Sequence, residues 1–346
     1  MEHYFFIEWQ HKITKVNSSE IKQIFEKFKK MRAIVIGDVM VDTYLWGKVD
    51  RMSPEAPVPI VSVTKRENRL GGAANVSLNL KALGATPILF SVIGGDETGK
   101  IFKKLLEKRD LSNEGIFVDT QRITTVKNRI ISKGQHIARV DEETTDFINP
   151  EIEKTLVDAI KKLIDKNLVD VIIFVDYDKG VITQTLFNEI NNLALQNGIP
   201  TTVDPKKRNF CNYKNVSLFK PNFKEFVDGT GLPLKKGDLE SLKVAAVEFK
   251  QKQNIKLIFV TLSELGVFIS NGVKEQYFPA VIRYIADVSG AGDTVISVAS
   301  LAIAGGLQPK VMALMSNLAG GLVCEKPGVV PVDKEQLIKE MHSQKI

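Results

Sequence analysis

The sequence predicts an α/β fold: a mostly parallel, doubly wound sheet with helices on both faces and a smaller β element outside it. Three observations lead there. Short apolar runs at 33–36, 169–175 and 257–261 have the continuous apolar character of strands buried on both faces. Helix-periodic segments at 150–166, 181–197 and 237–252 alternate with such runs, and repeated strand–helix units imply parallel pairing. Two glycine-led helix starts, 71–75 and 290–294, lie far apart in the chain.

Residues 1–30 read as an N-terminal extension with one amphipathic helix. Asn17 and Glu20 suit a capping arrangement, and Ile21, Ile24, Phe25 and Phe28 fall on one face. The apolar run Tyr4-Phe5-Phe6-Ile7 is short, lies between Glu2 and Glu8, and lacks a cleavage pattern, so a signal peptide is not expected. Residues 31–346 read as one domain. Its first strand, 33–38, ends in a turn, and Asp42 follows where a doubly wound sheet faces its ligand crevice.

Pro54, Pro57 and Pro59 exclude a helix over 51–63, which reads as a loop giving way to an edge strand. A helix over 73–83 ends at Gly84, and a buried strand follows at 87–93. Residues 94–100 fit the first seven positions of a phosphate-binding P-loop. Ile101, however, stands where a Ser or Thr must hold magnesium, and Asp96 and Glu97 would repel phosphate. A capped helix start is expected there instead.

Residues 124–141 alternate strand formers with charges, as a partly exposed hairpin does; together with 43–66 they are expected to form a small lid sheet. Further on, 200–203 reads as a strand. The run 267–270 pairs with the stretch around Tyr277 across Asn271-Gly272. Helices at 294–305 and 308–322 and a tail at 333–341 complete the chain.

An apolar fraction of 44% supplies a full core for 346 residues. The net charge of +6 is spread along the chain, with Lys206-Lys207-Arg208 its densest basic triplet and no aromatic residues interleaved. Nucleic acid is therefore not an expected partner, whereas a small anionic substrate is. Two cysteines, Cys211 and Cys324, make no disulfide framework and point to a reducing, cytoplasmic setting. The four histidines are too scattered for a zinc site, and no apolar run approaches a membrane span.

The chemistry concentrates in Asp287-Val288-Ser289-Gly290-Ala291-Gly292-Asp293-Thr294. Small residues before an apolar helix leave backbone N–H groups free for an anion and let a phosphate approach closely. A carboxylate in the same turn would repel that phosphate; it is better placed to take a proton from the attacking group.

This run resembles the D-x-x-G-A-G-D signature of the ribokinase-like, or PfkB, family of sugar kinases, matching it at Asp287, Gly290, Ala291, Gly292 and Asp293. The resemblance implies that Asp293 is the base and that the Gly290, Ala291 and Gly292 amides hold the transferring phosphoryl group. Leu70-Gly71-Gly72-Ala73-Ala74-Asn75 is similar to the family's N-terminal glycine-pair signature, so Gly71, Gly72 and Asn75 are implied to contact the sugar, as is Asp42. Asn222 and Glu225 match the family's N-x-x-E motif, which meets magnesium through water. Thr261, Ser263 and Gly266 match its nucleotide-phosphate turn, with Ser263 where many members have Gly. Asn317 and the loop 324–328 fall where the family walls its adenine pocket. ATP and Mg2+ follow as cofactors, with a monovalent cation as an optional addition.

A narrower resemblance links 51–59 (RMSPEAPVP), 68–75, 129–141, 176–180 and 203–206 to the heptose 7-phosphate kinases. Those enzymes often form one half of a bifunctional protein of lipopolysaccharide-precursor synthesis. Asp178 departs from the Gly usual in that group. The H-x-G-H motif of the partner nucleotidyltransferase is absent from the 346 residues, so only the kinase step is expected. Arg51, Arg129, Arg139, Lys179 and Lys206 are candidates to hold the substrate's own phosphate. The implied reaction phosphorylates the anomeric hydroxyl of the heptose, in a homodimer joined through the lid. A kinase for another sugar and a non-catalytic sugar sensor remain open. A dinucleotide-binding oxidoreductase fits less well, because Val295 occupies the third small position and Asp293 would face a pyrophosphate.

Overall fold

The computed structural model describes residues 18–343, so Asn17 and the apolar run near the start lie outside the described residues. The chain runs α1 (Ser18–Phe28), β1 (Arg32–Gly37), β2 (Val39–Met52), β3 (Pro59–Gly72), α2 (Ala73–Leu83), β4 (Thr86–Gly94), α3 (Glu97–Lys108) and β5 (Ile116–Asp119). Next come β6 (Val126–Ser132), β7 (Gln135–Glu142), α4 (Pro150–Asp165), β8 (Val171–Val175), α5 (Gln184–Gln196), β9 (Thr201–Asp204) and β10 (Leu218–Phe219). The rest is α6 (Phe223–Thr230), α7 (Leu239–Lys252), β11 (Leu257–Thr261), β12 (Val267–Ser270), β13 (Glu275–Phe278), α8 (Ala291–Ala304), α9 (Pro309–Cys324) and α10 (Lys334–Ser343).

Nine strands form one sheet in the order β13-β12-β11-β10-β9-β8-β1-β4-β5, parallel except for the antiparallel β11–β12–β13 end. Alternate residues of each central strand feed two cores. Ala33, Val35, Val171 and Ile173 pack with α1, α2, α3, α8, α9 and α10. Ile34, Ile36, Ile172 and Phe174 pack with α4, α5, α6 and α7. The chain leaves β1 toward β4 on one side and returns through β8 on the other, which opens a crevice beyond the carboxyl ends of β1 and β8.

A second sheet, β3-β2-β6-β7, stands on the rim of that crevice. Each of β2 and β3 is 14 residues long, and both have buried residues at the β1/α2 end and exposed residues at the far end. This is the chemical reason for the alternating, half-polar pattern of the lid segments: their outer parts have no layer above them.

Several boundaries differ from expectation for local reasons. Strands β5 and β10 are too short to announce themselves by periodicity. Helix α8 begins at Ala291, three residues earlier than expected, so Asp293 lies inside its first turn. The β12–β13 connection covers 271–274 rather than a two-residue turn, because Asn271 Oδ1 accepts from both Val273 N and Lys274 N. The P-loop look-alike is a capped helix. Asp96 accepts from Gly99 N at 2.7 Å and from both donors of Thr124, so its carboxylate is fully engaged.

Helix α1 is part of the core and not a loose extension: Ile21 and Phe28 are completely buried, and Phe25 packs edge-on against Phe28. Phe28→Ala should therefore lower unfolding free energy by about 3–5 kcal/mol. Urea denaturation of the variant beside the parent measures it; a loss below about 1 kcal/mol would mean that α1 does not dock.

Candidate active site

The centre of the site is Asp293, 97% removed from solvent although it belongs to a turn at the crevice. Gly290 makes this possible. Its φ of +83° lies in the left-handed region, and a Cβ there would sit 2.8 Å from Asn75 Nδ2. The turn leaves donors free: the amides of Gly290, Gly292 and Asp293 have no protein acceptor among the described residues. The expected Ala291 amide is instead directed at the Val288 carbonyl, at 3.3 Å, because the tight turn folds it back. Asp287, first residue of the motif, is a staple: it accepts from Ser289 N and Gly328 N, each at 2.9 Å.

Both oxygens of Asp293 are held. Asn75 Nδ2 donates to Oδ2 at 2.8 Å and Tyr177 Oη donates to Oδ1 at 2.7 Å. Asn75 arrives there because α2 and α8 pack together through Thr294 Oγ1 to Asn79 Oδ1 and Ser297 Oγ to the Val76 carbonyl. Burial pushes the Asp293 carboxyl up to about 7, against the lowering effects of Asn75 and Tyr177; the Asp204 charge adds to the rise and Lys220 opposes it.

Below the glycine turn lies a buried ion pair. Lys220, 2% exposed, meets Asp204 at 3.0 Å, and a Cβ on Gly292 would begin 3.7 Å from the Lys220 ammonium. Next to it Lys206 pairs with Glu225 and lies 5.2 Å over the Tyr177 ring. Lys206 thus sits beside the Asn222–Glu225 motif. Asn222 and Glu225 form a reciprocal capping box at the start of α6, with both bonds at 2.8 Å. Thr261 bridges to Asn222 at the end of β11.

Ser263 takes a φ of +57° and Gly266 one of +100°, so position 263 has the backbone that glycine adopts without strain. Asp178, at +58°, has the same explanation. Asn317 donates to the Pro279 carbonyl at 2.9 Å, fastening α9 to the chain after β13.

At the lid end, Asp42 pairs with Arg129, both buried, and Gly71 is so close that a Cβ would collide with the Asp42 carboxylate. Gly72, with φ +61°, makes the turn into α2. The other candidate cations are dispersed. Arg51 is exposed near the far end of β2, Arg139 is exposed and bonded to Asp141 at 3.0 Å, and Lys179 is paired with Glu143 at 2.8 Å. Tyr177, Asp204 and Lys220 lie within or beside the 176–180, 203–206 and 222–225 motifs, and nothing in those motifs marks them for a role. Their convergence depends on the ends of β8, β9 and β10 lying side by side.

Comparison with known proteins agrees with this geometry. The model of the pfkB family carbohydrate kinases matches residues 30–335. A bifunctional protein HldE of Syntrophotalea carbinolica is 38% identical over 328 residues, covering 94% of this chain and 66% of that protein. The corresponding protein of Aliarcobacter butzleri is 40% identical over 300 residues, 87% of this chain and 62% of its own length. The chain therefore spans less than two thirds of the length of these relatives. In fold it is similar to phosphofructokinase-2 of Escherichia coli, with a TM-score of 0.74 at 16% identity, covering 90% of this chain and 98% of that one.

The pKa of Asp293 has a consequence for stability. A folded-state value near 7, against the ordinary 3.8, means that the folded protein holds a proton there which the unfolded chain has lost. That stabilisation is full below about 3.8 and is progressively lost as pH rises to about 7. Asp293→Asn should raise Tm at both pH 5 and pH 8, and by about 3–4 °C more at pH 8. Calorimetry at the two pH values checks this; equal shifts at both would mean that the carboxylate is not strained.

Proposed function

The chain belongs to the pfkB family of carbohydrate kinases, and from that premise we propose that it phosphorylates D-glycero-D-manno-heptose 7-phosphate on its anomeric hydroxyl. The product is the 1,7-bisphosphate, a precursor on the way to ADP-heptose and lipopolysaccharide core. Membership makes the chain a phosphotransferase with a sugar hydroxyl as acceptor. The choice of heptose is supported by the 51–59, 129–141 and 176–180 runs and by the likeness to the HldE proteins.

The observation that carries the reading is the buried, high-pKa Asp293 at a turn with free amides. The sugar hydroxyl oxygen forms its bond to the γ-phosphorus while the bond to the bridging oxygen of ATP breaks. The leaving ADP keeps that electron pair, and the hydroxyl proton passes to the Asp293 carboxylate. The amides of Gly290, Gly292 and Asp293 and the Lys220 ammonium face the charge that spreads over the transferring group. Asp42, oriented by Arg129, binds sugar hydroxyls.

Among the described residues no group of three or more His, Cys, Asp or Glu could cage a metal ion, and Glu225 already accepts from Asn222 N and Lys206. This donor set fits magnesium as a hydrated ion brought by the nucleotide, with Asn222 and Glu225 meeting its waters. There it neutralises phosphate charge. A dimer formed through the lid is consistent with the exposed Met52, Val63 and Val140 on that sheet. No helix among the described residues is long and apolar enough to cross a membrane.

The test is ATP turnover on heptose 7-phosphate against a panel of phosphorylated and free sugars. Preference for another sugar would overturn the substrate and leave the family untouched. In the same assay kcat should rise with pH through about 7, and Asp293→Asn should lower kcat by about 10²–10⁴-fold with KM little changed. A variant keeping a tenth of the activity would remove Asp293 as the base.

Arg129→Lys keeps the charge but loses the planar fork that meets Asp42. KM for the sugar should rise about tenfold while KM for ATP stays put. Equal changes in both constants would separate Arg129 from sugar binding.

A further inference from the structure

Two side chains hold the carboxylate of Asp293, and one of them, Tyr177, has so far been only a neighbour. Its hydroxyl donates to Oδ1 at 2.7 Å. Burial first, and then the Asp293 and Asp204 charges, hold the phenol well above its ordinary pKa, so it is a permanent donor.

The loop that carries it is fixed by a single carboxylate. Asp38, 1% exposed, accepts from Tyr177 N at 2.8 Å, Lys179 N at 3.1 Å and Val181 N at 3.0 Å. The Asp38 carbonyl accepts in turn from Ala73 N at 3.0 Å, at the start of the helix that brings Asn75. Both donors to Asp293 therefore hang from one residue at the end of β1. Three backbone bonds to one buried side chain are more than packing of an aromatic ring would require.

We propose that Tyr177, held in place by Asp38, is a positioning residue for phosphoryl transfer: its hydroxyl orients the Asp293 carboxylate and favours its charged form. The inference rests on the reading of Asp293 as the base. A hydrogen bond to the charged form favours that form. Without it, the buried carboxylate beside Asp204 would hold its proton more tightly and could not accept another. Facing Asp293 are Asn75 from α2, Tyr177 from the loop after β8, Asp204 at the end of β9, Lys206 just beyond it and Lys220 after β10. Tyr177→Phe changes only one of these and preserves the ring.

The experiment is the pH profile of kcat for Tyr177→Phe. The inflection near pH 7 should move up by about one to two units, since a hydrogen bond to a charged group is worth roughly that much. At pH 7 kcat should fall about tenfold, most of it recovered at pH 9, with KM for ATP and sugar within about twofold. A merely structural tyrosine would lower kcat by the same factor at every pH, and that result overturns the inference. If the variant does not fold, 3-fluorotyrosine placed at 177 keeps the shape and donates more strongly. The inflection should then move down; an unmoved one overturns the proposal. Asp293→Asn tells the two readings apart. An active Asp293→Asn enzyme removes the base and this inference together, whereas an inactive one with an unshifted Tyr177→Phe profile removes only the inference.

Discussion

The structure depends on keeping one carboxylate in a place where a carboxylate is unfavourable. Asp293 is buried in the first turn of a helix, beside a second buried acid, Asp204, and it needs two donors and a nearby cation to be ionised there. The groups around it come from separate elements: Asn75 from α2, Tyr177 after β8, Asp204 from β9 and Lys220 after β10. The parallel sheet matters to the chemistry for this reason. It lines up the carboxyl ends of its strands, so that groups far apart in sequence meet beneath the glycine turn.

A second set of contacts couples this turn to the lid. Arg69 on β3 donates to the carbonyls of Pro327 and Val329, and Tyr44 on β2 accepts from Val329 N at 2.9 Å. Gly328, with φ +72°, has room for no side chain, since a Cβ would lie 2.6 Å from Arg69 and 2.9 Å from Tyr44. The same residue donates to Asp287 in the 287–294 motif. Arg69 and Arg129 both stack on the Tyr44 ring, at 4.8 and 5.4 Å. The Asp42–Arg129 pair and the glycine turn thus share one aromatic hub.

Strong local signals made much of this legible in the sequence. Buried strands announce themselves as unbroken apolar runs, and α2 appears with its expected bounds because Gly84 stops it in a left-handed conformation. The 287–294 motif was readable because an anion-binding turn needs small residues and a free helix start in immediate succession, all within one stretch. Less legible was the role of cations. Five basic residues are candidates to hold a phosphate, three on the lid segments and two at strand ends, yet only Arg129 meets Asp42, while Lys179 and Lys206 pair with Glu143 and Glu225.

The sequence by itself determined the layered α/β fold, the small outer sheet and the glycine–aspartate turn, because each is encoded by periodicity or by residues adjacent in the chain. Only the tertiary structure decided which groups complete the site. Tyr177 next to Asp176, Asp204 at a strand end and Lys220 before a proline carry no local mark of their roles. What they do follows from three strand ends converging on Asp293, and from burial that raises its pKa once that convergence excludes water.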